Sequence, residues 1–404
     1  MKKTLFLLIG TFVLLFAILY IFKGSIGDIR PAVLPPTSGI KETAVTGFGD
    51  IDNELGAAQV NGLKAPKGFI ISFFAKDLGN ARDLEFSPGG TLLLSIPGSG
   101  KVVALPDRDS NGSADENKTI LSRLNKPHGI AFFEDKLFVV EETKVVRYNW
   151  DEENLKAEED KKLFDLPKGG RHFTRTIAFN KDGQMFISLG STCDVCYEKN
   201  EWIAAVITSD SDGASPRLFA SGLRNAVFIT THPKTGELWG TEMGRDFLGD
   251  NKPPDEINII KDGQNYGWPI CYGKKVHDSN FDKNIYTEDP CLFTESPIYE
   301  IPAHSAPLGL AFINSPQFPS DWQGDLLVAY HGSWNRSVPT GYKVVRMNVD
   351  GNTISGEEDF MTGFISGSQA NARPVDVIFD SSGNLFVSDD KAGAVYKVQY
   401  SPYK

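Results

Sequence analysis

Only six histidines occur in the 404 residues, and one of them, His172, has a setting that packing does not explain. It lies in the run Gly169-Gly170-Arg171-His172-Phe173-Thr174-Arg175. Two glycines leave the backbone room to approach a ligand, and two arginines argue against burial in an apolar core. Imidazole is the side chain that most simply takes up a proton near neutral pH, so this stretch offers general-base chemistry. His128, in Lys126-Pro127-His128-Gly129, is a lesser candidate because a lone strand histidine is more often a hydrogen-bonded core residue. Arg82, Arg224 and Arg373, with Asn225 beside Arg224, recur at comparable places before apolar runs. The planar fork of arginine suits carboxylates, so three of them brought together could hold a polycarboxylated ligand. His331-Gly332-Ser333-Trp334-Asn335-Arg336 adds another imidazole and an indole that could stack on a flat ligand or sugar ring or equally be a packed aromatic.

What must bring these residues together is a repeat. ARDLEF ends at Phe86, PHGIAF at Phe132, TRTIAF at Phe179, RNAVFI at Ile229, PLGLAF at Phe312 and PVDVIF at Phe379; each precedes a turn and a second apolar run. Alternating apolar residues about such a turn are the sequence form of a hairpin. The first three anchors are spaced by about 46 residues, within the roughly 40 to 50 of a propeller blade. Six such units predict an all-β fold, a six-bladed β-propeller of four-stranded blades, with the innermost strands starting near one mouth. Arg82, His128, Arg175 and Asn225 each stand four residues before an anchor. The closing run VYKVQY suits a strand that completes the ring.

Composition bounds the rest. A formal charge of −11 excludes the basic stripe of a nucleic-acid surface. Lys2 and Lys3 precede an apolar run of 19 residues, Thr4 to Phe22, which is close to a bilayer span and long for a cleaved signal. We read residues 1–23 as a hydrophobic helix, an uncleaved signal anchor in preference to a removed signal peptide. Residues 24–64 read as a linker and irregular lead-in, and 65–404 as the propeller domain. Either reading of the start exports the chain to a periplasmic or extracellular face, with membrane contact through the N-terminal segment. Asp107, Asp109 and Asn111 have calcium-loop spacing, but Lys118 stands where an EF-hand would place its glutamate. An Asx-rich turn between strands is the preferred reading, with a structural calcium site as its rival. Four cysteines in an exported chain suggest Cys193 with Cys196 and Cys271 with Cys291, one of three pairings; a four-thiolate zinc site is the rival.

Several stretches together carry a family resemblance: GGRHFTRT, CDVC at 193–196, GLRNA at 222–226, MGRD at 243–246 with PPDEIN, NYGWP at 265–269, AYHGSWNRS with GYKVVR, and ARPVDV at 372–377. In order and number they resemble the glucose/sorbosone dehydrogenase family of pyrroloquinoline quinone (PQQ) enzymes, in its L-sorbosone dehydrogenase branch, over residues 65–400. The resemblance implies oxidation of a sugar aldehyde or aldose, with His172 as catalytic base and Arg224 with Asn225 at the quinone's reactive side. It implies that Arg82, His331 and Arg373 hold the quinone carboxylates. The backbone carbonyls of Gly244 and Arg245 would bind a Ca²⁺ ion beside the cofactor. Its partners would be a small sugar substrate and an electron acceptor that the sequence does not identify. Two departures are visible: soluble glucose dehydrogenases carry Pro after that Gly and Lys near His331. A second reading, from another class, is a non-catalytic exported propeller that binds glycan or protein.

Overall fold

A computed structural model describes residues 55–401; the apolar run and most of the lead-in lie outside them. No helix among the described residues is long and apolar enough to cross a membrane. Six antiparallel four-stranded sheets stand radially, and the innermost strands are the ones the repeat located. They are Leu84–Phe86, Ile130–Phe133, Arg175–Phe179, Ile229–Thr231, Pro307–Phe312 and Pro374–Phe379, numbered here as blades one to six. Five blades run outward in chain order. Blade six takes Pro374–Phe379, Leu385–Asp389 and Ala394–Tyr400 from the end of the chain and its outer strand, Phe69–Ala75, from the start. VYKVQY is therefore the third strand of its blade, and Phe69 opposite Tyr400 closes the ring. Apolar side chains fill the wedges between blades. Phe69, Phe318, Trp322 and Phe360 form one such aromatic wedge between blades five and six.

One expectation shifts. In blade three Phe179 pairs with Met185 at the turn end. In blade four the equivalent pair is Thr231 with Leu238, and Ile229 sits two residues earlier, opposite Gly240. The apolar run AVFI begins ahead of this blade's inner strand, so alignment on its last aliphatic residue mis-set the register by two. Asn225 accordingly lies beyond the strand start, over the mouth.

Because inner strands run from the mouth to the turn face, the loops joining second to third strands open at the mouth. They carry Ser191 to Ala204 in blade three, Met243 to Pro254 in blade four and His331 to Tyr342 in blade five. Blade four adds an excursion between its third and fourth strands. This climbs the gap to blade three, with Asn265 bridging Ser221, and is stapled at the mouth by Cys271–Cys291.

Candidate active site

At the mouth lies a cleft of about 330 Å³ lined by His172, Arg224, Asn225, Gly244, His331 and Arg373, among others. Six sequence-predicted residues from blades three to six thus meet, although Arg82 and Arg245 do not touch this cleft.

His172 is held by a short relay. Its Nδ1 lies 2.8 Å from Ser191 Oγ, and that hydroxyl donates to the Cys193 carbonyl at 2.7 Å. A hydroxyl has one proton to give, so Ser191 must accept from His172. The imidazole proton therefore sits on Nδ1, and Nε2 keeps its lone pair. Burial, then the Arg224 and Arg171 guanidiniums, pull the His172 pKa down to about 3, so the ring is neutral. The glycines serve this geometry differently from the way the sequence implied. A Cβ on Gly170 would come within 2.4 Å of the Thr192 carbonyl, so this position permits loop-on-loop packing. A Cβ on Gly190 would meet both Asn225 Oδ1 and His172 Cβ at 2.6 Å, and glycine there lets the two approach. Arg175, fully buried, donates to the carbonyls of His172, Thr174 and Pro167. It props the loop from beneath and does not reach the cleft.

Arg224 is buried and saturated. Its Nε and Nη2 bond to the Asp194 carbonyl (2.8 Å) and carboxylate (2.7 Å), and Nη1 to the carbonyls of Met243 (3.2 Å) and Gly244 (2.9 Å). Asp194 is the residue after Cys193, whose disulfide to Cys196 is formed, as is Cys271–Cys291. Four thiols spent this way leave no thiolate for a zinc site. Asp246, within the MGRD stretch, joins Arg171 (2.7 Å), Arg224 (3.5 Å) and Asn335 (2.7 Å). Sequence reasoning gave Asp194, Asp246 and Ser191 no role; nothing in their local spacing marks them.

On the opposite rim a second relay crosses from blade six to blade one. Arg373 donates to His331 Nδ1 (3.2 Å), so His331 carries its proton on Nε2 and donates to Asp390 (2.9 Å). Asp390 also pairs with Arg82 (2.9 Å), whose Nε reaches His128. Burial would raise the Asp390 pKa, but His331 and Arg82 hold it at about 2. Arg82 thus stands one residue behind the cleft. His128 is fully buried, bonded to Thr176 as well as Arg82, and burial and Arg82 drive its pKa well below the usual imidazole range. It is the packed histidine that the strand context favoured. Arg373 differs from Arg82, Arg171 and Arg224 in having no carboxylate within ion-pair distance among the described residues. It bonds to the Gly332 carbonyl and the Tyr342 hydroxyl and lies 4.8 Å from the Tyr342 ring centre.

These features fit an anionic, oxygen-rich planar ligand. Arg373 supplies the cation for such an anion, whereas the buried amide oxygens of Asn225 and Asn335, both cleft residues without a hydrogen-bond partner, call for a donor, an N–H or O–H of the ligand or sugar. Trp334 stands 59% exposed at the rim under Arg171. His304 and Ala306, also at the cleft, hold left-handed backbone at φ 68° and 55°, local strain of the kind that gathers at working sites. For a metal the fit is narrower. The Gly244 carbonyl already accepts from Arg224, and a cation on it would face that guanidinium; the Arg245 side chain turns away to Asp278 (2.8 Å). The Asp107 loop lies on the face opposite the cleft, with both Asp107 oxygens taken by the N–H groups of Asn111 and Gly112 (3.0 Å each). That is an Asx-turn arrangement, and the same loop brings carboxylate oxygens of Asp107, Asp109 and Asp115 within 4.8 Å of one another.

The model of the TrAA12-like family matches residues 63–401. The chain belongs to that family. A Borreliella burgdorferi protein without an assigned function is 31% identical over 360 residues, covering 84% of this chain and 91% of that one. A PQQ-dependent pyranose dehydrogenase of Coprinopsis cinerea is 24% identical over 83% of this TrAA12-like chain, which spans 54% of the fungal protein. Among solved structures, the family AA12 enzyme of Trichoderma reesei superposes with a TM-score of 0.72 at 20% identity, over 88% of this chain and 100% of that one. The holo PQQ domain of the Coprinopsis enzyme gives 0.72 at 21% identity, over 85% and 98%. The fold of the TrAA12-like chain is thus that of PQQ sugar dehydrogenase domains.

Proposed function

We propose that this chain is an exported, membrane-attached sugar dehydrogenase that uses PQQ to oxidise an aldose at its anomeric carbon, or a sugar aldehyde such as sorbosone. The observation that carries the reading is the His172–Ser191 relay, which supports an unprotonated Nε2 on a residue lining a cation-rimmed cleft. Arg373 and His331, with Arg82 behind them, would hold the carboxylates of PQQ, and Arg224 with Asn225 its reactive side. When bound, PQQ supplies a two-electron acceptor for hydride. Oxidation of a C1 hydroxyl to the lactone releases one hydride and one proton; the proton is the part that His172 Nε2 takes. Trp334 offers its exposed face to the sugar ring. A Ca²⁺ ion on the Gly244 and Arg245 carbonyls remains part of the reading, and it would share the two-lone-pair Gly244 oxygen with Arg224 Nη1. Electrons leave to an acceptor outside this chain.

The test is reconstitution. Purified full-length protein is given PQQ with and without Ca²⁺, and dye reduction is followed with glucose, other aldoses and sorbosone. Saturable dye reduction that depends on PQQ and sugar is expected. If PQQ neither binds nor supports turnover, the glycan- or protein-binding propeller becomes the better account.

A further inference from the structure

The large apolar side chains left exposed are unevenly placed. Nine are exposed among the described residues, and all but Leu55 lie on the loops, or on the short hairpin Cys271–Tyr272 with Val276–His277, that extend from the mouth. Five belong to the blade-four excursion: Val276 (43%), Ile285 (99%), Tyr286 (41%), Leu292 (48%) and Phe293 (85%). The excursion that carries them is folded on itself and on blade three. The His277 ring lies 5.7 Å from that of Tyr286, Lys275 Nζ donates to the Leu292 carbonyl, and Tyr197 of the neighbouring blade, 60% exposed, packs on Phe281. The patch is built to stay in place. Cys271–Cys291 closes its base, Asp278 pairs with Arg245, and Asp282 accepts from His277 and Tyr286. Holding Ile285 and Phe293 out in water on a stapled scaffold is unfavourable without something to cover them.

We propose that this patch rests on a lipid bilayer, so that the mouth of the propeller is held at the membrane surface. The inference takes the apolar run Thr4 to Phe22 as a retained anchor. About 32 residues separate that run from Leu55, and a chain of that length reaches at most roughly 110 Å. The tether therefore keeps the domain near the membrane without choosing which face turns to it; the patch makes that choice. Its composition is interfacial: aliphatic and aromatic tips with Lys274, Lys275 and Lys283 exposed around them, whose stems can lie along lipid while their ammonium groups stay in water. Glu288, Asp289 and Glu295 offset those lysines, so contact rests on apolar area and needs no anionic lipid. A docking site for a charged protein would instead weaken steeply with salt.

The experiment places a reporter in the patch of the full-length protein. Phe293→Trp adds one indole where the side chain is already 85% exposed, and Lys181→Trp adds one at an exposed turn on the opposite face. Both variants are reconstituted in phosphatidylcholine vesicles with and without lipids brominated high on the acyl chain. The chain has six native tryptophans, so each variant is read as its difference spectrum from the unsubstituted protein; the Phe293→Trp difference signal is expected to lie to the blue and to lose about half its intensity to brominated lipid, as a side chain some 5 to 10 Å into the interface would. That result should hold in 50 mM and 500 mM salt, with the Lys181→Trp signal unchanged. A red, unquenched indole signal from the Phe293→Trp variant, in protein that does sediment with vesicles, overturns the docking while leaving the anchor intact. Protection that appears only with an added soluble protein assigns the patch to a protein partner and overturns it as well. Failure to sediment with vesicles removes both anchor and docking. None of these readouts depends on cofactor or turnover, so the proposed activity can fail independently.

Discussion

The Nδ1 of His172 lies 2.8 Å from the hydroxyl oxygen of Ser191, whose own proton is spent on the Cys193 carbonyl 2.7 Å away. One hydroxyl thereby decides which imidazole nitrogen is basic. Ser191→Ala removes that decision and leaves Nδ1–H without its acceptor. We expect kcat to fall about tenfold with KM little changed, against a loss of about 10² to 10⁴ for His172→Ala, the usual range for a general base. Steady-state kinetics on the reconstituted enzyme measure both. A Ser191→Ala variant with raised KM and unchanged kcat would place the hydroxyl in substrate binding.

Burial and two guanidiniums draw the His172 pKa to about 3. Cofactor-free protein should therefore keep this ring neutral at pH 5, where an unperturbed imidazole is mostly charged. An anionic ligand in the cleft opposes the arginines and should move the titration upward. Ring ¹⁵N shifts followed from pH 7 to 5, with and without PQQ, check both signs. Protonation near pH 6.5 in the free protein would show that burial and the two guanidiniums do not depress this imidazole.

Arg373 is the guanidinium at this cleft that no carboxylate among the described residues neutralises, whereas Arg82 is paired with Asp390. Arg373→Met should weaken PQQ binding by about 10- to 100-fold, the worth of one charge-assisted contact. Arg82→Met should act less directly, by freeing Asp390 beside His331. Absorbance titration with PQQ ranks the two, and an Arg82 effect larger than that of Arg373 would reverse their assigned places.

The ring was legible because a repeat announces itself six times, and a twist of register in one copy does not hide the other five. Convergence of His172, Arg224, Asn225, His331 and Arg373 followed from that ring, since four of them precede inner strands and His331 follows a second strand, all at the same end. Arg175 and His128 share that spacing and still turn inward, because strand position fixes the end of a residue and not its rotamer. Ser191, Asp194 and Asp246 were not legible. Their roles come from loops of different blades meeting, and a serine or aspartate in a loop has many local explanations.

The two disulfides divide structure from function. Cys193–Cys196 spans three positions in sequence and Cys271–Cys291 spans 20. By loop-closure entropy the first contributes about 2 kcal/mol and the second about 3. Yet Cys193 supplies the carbonyl that fixes Ser191, and Asp194 holds Arg224. Cys193→Ser with Cys196→Ser should lower kcat several-fold, whereas Cys271→Ser with Cys291→Ser should leave kcat nearly unchanged and produce the larger of the two drops in Tm. Thermal melts beside kinetics on both pairs decide it; equal effects on Tm and kcat would remove the distinction.

Deeper in the shaft, Asp83 and Asp376 are buried at the inner strands of blades one and six, and the half-buried Glu85 lines the same cavity. Burial, only partly offset by the Phe132 N–H, raises the Glu85 pKa to about 8. The folded state therefore holds this proton more tightly than the unfolded chain, whose glutamates titrate near 4.3. The stability from protonated Glu85 is fully present below about pH 4 and is lost as pH rises through 8. Glutamine keeps the acceptor for Phe132 and cannot ionise. The advantage of Glu85→Gln over the native protein should thus grow between pH 5 and pH 8 by an amount on the order of 2 to 4 kcal/mol. Differential denaturant melts at the two pH values measure it. An advantage that is the same at both would show that Glu85 is ionised in the folded shaft, with a counter-charge that its surroundings do not display.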